Sequence, residues 1–327
     1  MKISFFSGQA GQKHTSRIME ILKNHAPQHK YNHCADDAKP DVWHCMAPHN
    51  SILFIRHAPR SVVSLSDVRF ITEPEIFSIP ERLFRFPIYR YHCRHAARLI
   101  AHNAQAKRRV VEALGVDKER VEVCMPFFAV ANLRPACQPS REEMLCVRAK
   151  FELPDTYILI MGSADTMHDH GVILRAIFSL SIDLNVVIFT RHTTYSDTLV
   201  KMVRDMGTDG RVQFIYEASA EDVASIYRMA LVMVYMPAFD SSVGPIVEAL
   251  LHGVPMILSD TPLNCEAAGE AASYVTPHDE SQLRAALKAM IYNESFRSQM
   301  IAMCWAEARR YSQEGIAEQL SKIYESV

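Results

Sequence analysis

The 327-residue chain has no C-x-x-C pair, no marked excess of charge of either sign and no apolar run approaching a membrane span. Its eight cysteines, Cys34, Cys45, Cys93, Cys124, Cys137, Cys146, Cys265 and Cys304, are scattered. Scatter of this kind argues against a zinc knuckle and, without an export signal, points to reduced thiols. Lys and Arg number 35 against 37 Asp and Glu, so a net charge of -2 removes the overall electrostatic case for nucleic acid or an anionic bilayer. No segment offers the ~18 uninterrupted apolar residues of a transmembrane helix, and residues 1–8 hold too short an apolar run for a signal peptide. The expected location is cytoplasmic, with a peripheral contact at the inner membrane face as an added option.

What is present is an ordinary globular composition, 49% hydrophobic and 22% charged, in a chain long enough for two cores. Short apolar runs alternate with helical patterns and turn residues throughout, the signature of parallel sheets with crossover helices. Strands are expected at 2–6, 41–45, 51–56, 61–65, 99–101 and 121–125, with helices over 16–24 and 104–114. Between the first strand and helix, Gly8 and Gly11 form a loop that suits either a tight turn or a nucleotide-binding start. Residues 75–101 turn aromatic and basic, with Phe77, Phe84, Phe86, Tyr89 and Tyr91 among Arg82, Arg85, Arg90, Arg94 and Arg98. Near-helical spacing of Leu83, Phe86 and Tyr91 suggests a basic amphipathic surface, or simply a solvated helix face.

Residues 132–141, with Pro135 and Pro139, are the best linker. A second alternation follows, with strands at 157–161, 185–189, 212–216 and 231–236 and helices at 172–179, 197–206 and 220–229. The expected fold is α/β, two doubly wound Rossmann-like domains facing a cleft, divided as 1–135, 136–301 and a C-terminal helix, 302–327, packing back on the first domain. Leu283, Leu287, Met290 and Ile291 are spaced for one buried helix face.

The most informative stretch is 237–255. An apolar strand feeds a small-residue turn, Pro245 suits a first helical position, and Gly253-Val254-Pro255 ends the helix. Asp240 and Glu248 bracket that helix start, where free backbone N–H groups favour an anion such as a phosphate. The plainer alternative makes Asp240 a cap and Glu248 a surface acid.

Taken together, Tyr157-Ile158-Leu159-Ile160-Met161-Gly162, the Asp240 to Glu248 acid pair, Glu248-Ala249-Leu250, Gly253-Val254-Pro255 and Ser259-Asp260 resemble the GT-B fold retaining glycosyltransferases of family 4 (group 1). The resemblance spans nearly the whole chain, and the acid pair, with Asp in the first place, is its specific part. It implies transfer of a sugar from a nucleoside diphosphate sugar to a saccharide or lipid-linked acceptor, in polysaccharide biosynthesis, with no metal or other cofactor. By the same resemblance Gly162, Ser163, Gly244, Pro245 and Ile246 would meet the donor diphosphate, Glu248 the ribose and Asp240 the donor sugar. Gly11, Ser66 and Asp67 would lie on the acceptor side, with Asp67 orienting a hydroxyl or acting as a weak base.

Three departures bear on activity. Ser163 stands where the family has a donor-loop arginine, His168 where it has a lysine, and Ser66 where it has a histidine. His168 would supply charge when protonated, with Asp169 favouring that form; Arg191-His192 is another basic pair on that side. His168-Asp169-His170 as a metal site lacks an implied third ligand. Besides the active enzyme, two readings stay open: a catalytically degenerate binding or stabilising partner, and a nucleotide-binding enzyme without a sugar substrate.

Overall fold

The computed structural model describes residues 1–6, 12–33, 39–46, 59–65, 79–124, 138–165, 167–180, 184–238 and 242–327. The chain divides into two compact units, Met1–Ala131 with Arg310–Val327, and Asn132–Arg309. In the first, strands β1 (Lys2–Phe6), β2 (Lys30–His33), β3 (Val42–Cys45), β4 (Ser61–Leu65), β5 (Arg98–Ala101) and β6 (Val121–Val123) form one sheet in the order β2-β1-β3-β4-β5-β6. Every pairing in it is parallel. Side chains alternate between its faces. Ile3, Phe5, Val42, Val62 and Ile100 pack with Ile18, Leu22, Ile316 and Leu320 of the helices Gln12–His25 and Gln313–Glu325. On the other face Trp43, Val63, Leu65 and Leu99 pack with Tyr89, Cys93, Val110 and Leu114 of the helices Ile79–His95 and Ala104–Leu114. Burial on both faces explains why these strands read as nearly continuous apolar runs.

β2 was not expected from its sequence, because Lys-Tyr-Asn-His buries only Tyr31. The basic aromatic segment is helical, but its buried side is Tyr89, His92 and Cys93, whereas Leu83 is 66% exposed. That corrects the expected apolar face. Residues 51–56, 66–78 and 125–137 lie outside the described residues.

The helix Gln313–Glu325 is fixed by polar contacts as well as by apolar ones. The buried His44 ring lies 2.8 Å through Nδ1 from the Tyr324 hydroxyl and 2.7 Å through Nε2 from Ser64 Oγ. Burial pushes the Tyr324 hydroxyl well above its ordinary range, so it stays protonated. One buried imidazole thus joins β3, β4 and the C-terminal helix.

The second unit holds β7 (Tyr157–Met161), β8 (Asn185–Phe189), β9 (Val212–Ile215), β10 (Ala230–Tyr235), β11 (Met256–Ser259) and β12 (Ala272–Val275), in the order β12-β11-β10-β7-β8-β9. All its pairings are parallel. Ile158, Ile160, Val186, Ile188, Val232 and Val234 pack against Ile173, Leu174, Leu199, Leu283, Leu287 and Met290 from the helices His170–Phe178, Thr194–Asp205 and Glu280–Tyr292. A helix not anticipated from sequence, Arg141–Phe151, is opened by a capping box between Ser140 and Glu143. The chain leaves this unit at Arg309, after the unbroken helix Glu294–Ala308, rather than at 301 inside it. Gly253 closes the helix Gly244–His252 with φ 63, and a Cβ there would clash with the Trp305 ring, so only glycine fits.

His170 opens its helix fully buried, and neither ring nitrogen has a hydrogen-bond partner among the described residues. Burial lowers its pKa to about 4. The folded chain therefore refuses a proton that the unfolded chain accepts below pH 6.5, and this contribution to stability, complete above that pH, is lost as pH falls toward 4.

Two outcomes are expected. Tyr324→Phe, which removes a partner from buried His44, should cost about 1–3 kcal/mol in urea unfolding; an unmoved midpoint would contradict the role given to that hydrogen bond. His170→Phe should flatten the fall of unfolding free energy between pH 6.5 and 4, and a slope equal to the parent's would refute a neutral buried imidazole.

Candidate active site

In the second unit β7 is central. The chain moves from it to β8 and β9 on one side and returns to β10, β11 and β12 on the other. Open parallel sheets bind ligands outside the carboxyl ends of their strands at such a reversal. A cavity of about 630 Å³ occupies that edge. Met161, Gly162 and Ser163 line it from the end of β7, and Phe189, Thr190 and Arg191 from the end of β8. Tyr216, Glu217 and Ala218 follow β9, and Pro245 comes from the first turn of the helix Gly244–His252.

Gly162 has φ +123, and a Cβ on it would lie 2.6 Å from Cδ2 of His168. The loop after β7 therefore folds so that the imidazole packs against a bare α-carbon. Met167 O accepts from Ala238 N at 2.6 Å, and the Thr193 hydroxyl donates to Ala164 O at 2.8 Å. These bonds tie the loop to the ends of β10 and β8.

This arrangement revises the part expected of His168. Its side chain is 9% exposed, its Nδ1 lies 2.7 Å from Asp165 Oδ1, and its ring is 5.8 Å from that of Tyr235. It is not a wall of the cavity. Nor is Asp169 its carboxylate partner: Asp169 accepts from His278 N at 2.9 Å and lies 2.6 Å from His278 Nδ1. Asp169 has φ 50 at the helix start, and its side chain makes no cap hydrogen bond there. His168, Asp169 and His170 thus face Asp165, His278 and the core respectively. Among the described residues no three His, Cys, Asp or Glu side chains gather closely enough to hold a metal ion.

The helix Gly244–His252 has no side-chain cap from Val243, and Gly244 N donates to Ser242 Oγ at 3.2 Å. Pro245 has no N–H, so its contribution is shape. Ile246 is fully buried. The Tyr227 hydroxyl donates to Pro245 O at 3.3 Å, and Arg228 donates through Nη1 to His252 O at 2.9 Å, so both ends of the helix are held. Tyr227 is pushed well above its ordinary pKa by burial and by the charge of Glu248. Glu248 stands one turn beyond Pro245, on the same side of the helix by i,i+3 spacing. It is half-buried, with Oε2 3.4 Å from Nε2 of His252. Asp240, Asp67, Ser66 and Gly11 lie outside the described residues.

The structure therefore gathers Gly162, Ser163 and Pro245 on one cavity, places Glu248 one turn further along the Pro245 helix and sets His168 behind Gly162. Sequence reasoning did not place Phe189, Tyr216 or Glu217 there. Their only signal was position just beyond a parallel strand.

Residues 147–303 match the family model described as glycosyl transferases group 1. The O-antigen chain mannosyltransferase RfbU of Salmonella typhimurium is 24% identical over 241 residues, covering 73% of this chain and 62% of that protein. A D-inositol 3-phosphate glycosyltransferase of Corynebacterium kroppenstedtii is 27% identical over 71% of this chain and 53% of its own length. The matched region thus spans little more than half of these curated relatives. Among solved structures, Anabaena Alr3699/HepE in complex with UDP and glucose superposes with TM-score 0.68 at 16% identity, over 100% of both chains. The glycosyltransferase of Rickettsia africae gives 0.69 at 12% identity, over 99% of this chain and 97% of that one. No helix among the described residues is long and apolar enough to cross a membrane. Residues 147–303 thus resemble the group 1 glycosyl transferases, and the two parallel sheets with their flanking helices give the chain the GT-B fold of the solved structures it superposes on.

Proposed function

We propose that the chain is a retaining glycosyltransferase that moves a sugar from a nucleoside diphosphate sugar to a saccharide or lipid-linked acceptor. The observation that carries this reading is the cavity at the carboxyl ends of β7, β8 and β9, bordered by the Gly162 loop and the Pro245 helix start. Its position is the one expected for a nucleotide on such a sheet, and UDP is the ligand named for the Anabaena structure. The diphosphate would lie against Gly162, Ser163 and the start of the helix containing Gly244, Pro245 and Ile246. Glu248 would accept hydrogen bonds from the ribose, its carboxylate oriented by His252. Asp240 would contact the donor sugar, with Asp67, Ser66 and Gly11 on the acceptor side.

Substitution would proceed on the face from which the diphosphate departs, with retention and without a metal. In this scheme His168 is a positioning residue that shapes the loop through its contact with Gly162.

A second reading is a degenerate glycosyltransferase-like partner protein. It is favoured by Ser163 in place of a cation and by the engagement of His168 with Asp165. Incubating the full chain with a panel of nucleotide sugars and saccharide acceptors separates the two. Binding with acceptor-dependent release of nucleoside diphosphate is expected, whereas binding without release across the panel would support the partner reading. Glu248→Gln should weaken donor binding ~10- to 100-fold, the usual scale for a charged hydrogen bond. Unchanged affinity would contradict the ribose role.

A further inference from the structure

The donor loop carries no permanent positive charge, because Ser163 is neutral and His168 packs against Gly162 rather than lining the cavity. A departing diphosphate needs such a charge, and electrostatic stabilisation is often the largest catalytic contribution. Among the described residues the cavity wall contains one permanent cation, Arg191, just beyond β8. Its surroundings are fixed while its own side chain is unengaged. Thr190 N donates to Ile215 O at 3.0 Å, and Thr193 both caps the helix Thr194–Asp205 and donates to Ala164 O at 2.8 Å. His192 lies 3.5 Å from Asp197 and has its ring 5.0 Å from that of Tyr216. Arg191, exposed between these anchored neighbours, makes no hydrogen bond or ion pair among the described residues.

We infer that Arg191 is the diphosphate-binding cation of this chain, so that the charge absent from the β7 loop is supplied from the β8 loop. This rests on the donor-site reading above and specifies how that site holds its ligand. The strand order β7-β8-β9 places Arg191 next to the Gly162 loop. A guanidinium fork matches two phosphate oxygens. The other charged wall residue, Glu217, follows β9 and repels an anion there, which confines the diphosphate to the side of β7 and β8. The hydrogen bond between Thr193 and Ala164 holds the two loops in fixed relation, so the cation and the backbone of Gly162 and Ser163 act on one ligand.

The test uses the full chain with UDP and GDP as probes, and uridine and guanosine as their uncharged counterparts, in calorimetry or competition. Arg191→Ala should weaken binding of the preferred diphosphate ~10- to 100-fold, with no matching loss for its nucleoside. Ser163→Arg, added to Arg191→Ala, should restore much of the diphosphate affinity. Unfolding midpoints should stay unchanged, because the replaced side chain is exposed. If the parent binds a diphosphate and Arg191→Ala binds it equally well, the inference falls while the donor site stands. An equal loss of diphosphate and nucleoside would also overturn it, since that marks a shape effect. If the parent binds neither diphosphate, the donor-site reading fails and the inference goes with it.

Discussion

Parallel strands buried on both faces can present chemistry only at their ends, and that constraint governs the second unit. Tyr157 through Ile160 are fully buried, so the central strand is covered on both of its faces. The chain reverses its direction of growth beside β7, which separates the crossovers on either side and leaves space at the carboxyl edge. Gly162 makes that space usable. Its φ of +123 turns the chain sharply, and its missing side chain lets the His168 ring settle behind the turn. Cavity, loop and helix start then follow from one strand end.

The charges in this region are arranged sparingly. Asp165 holds His168, Asp169 holds His278, and Glu248 faces His252. Each histidine with a carboxylate neighbour is committed to a structural contact, and His170 is kept neutral by burial at a pKa of about 4. Arg191 is the contrasting case, a full charge on the cavity wall with its neighbours tied down. The unit whose β7 loop has the neutral Ser163 on the cavity wall therefore carries an arginine at the adjacent strand end.

Much of this architecture was legible in the chain. The apolar runs at 157–161 and 185–189 coincide with β7 and β8, and Gly115 and Gly253 mark helix ends through the left-handed conformation that glycine adopts most readily. Pro245 marked the start of the key helix to within one residue. β2 was hidden because an edge strand with one buried residue lacks the apolar signal. The helix Arg141–Phe151 was hidden because Met144, Leu145, Cys146 and Val147 run together and only Val147 is buried, although Ser140 and Glu143 spell its capping box. The pairing of Asp169 with His278 spans 109 residues, and no local pattern reports it. Asp165 and Asp169 both lie close to His168 in sequence, and the structure pairs the histidine with Asp165 while Asp169 reaches His278. The cavity walls Phe189, Tyr216 and Glu217 meet only after three separate strands align.

The central claim is that the carboxyl edge of β7, β8 and β9 is where a nucleoside diphosphate binds. Hydrogen exchange of backbone amides, measured on the full chain with and without saturating UDP or GDP, tests it most directly. Slowed exchange is expected in the segments 162–164, 190–192, 216–218 and 244–248, with β11 and β12 unaffected. Protection that spares those four segments, or that appears only in the first unit, would contradict the account.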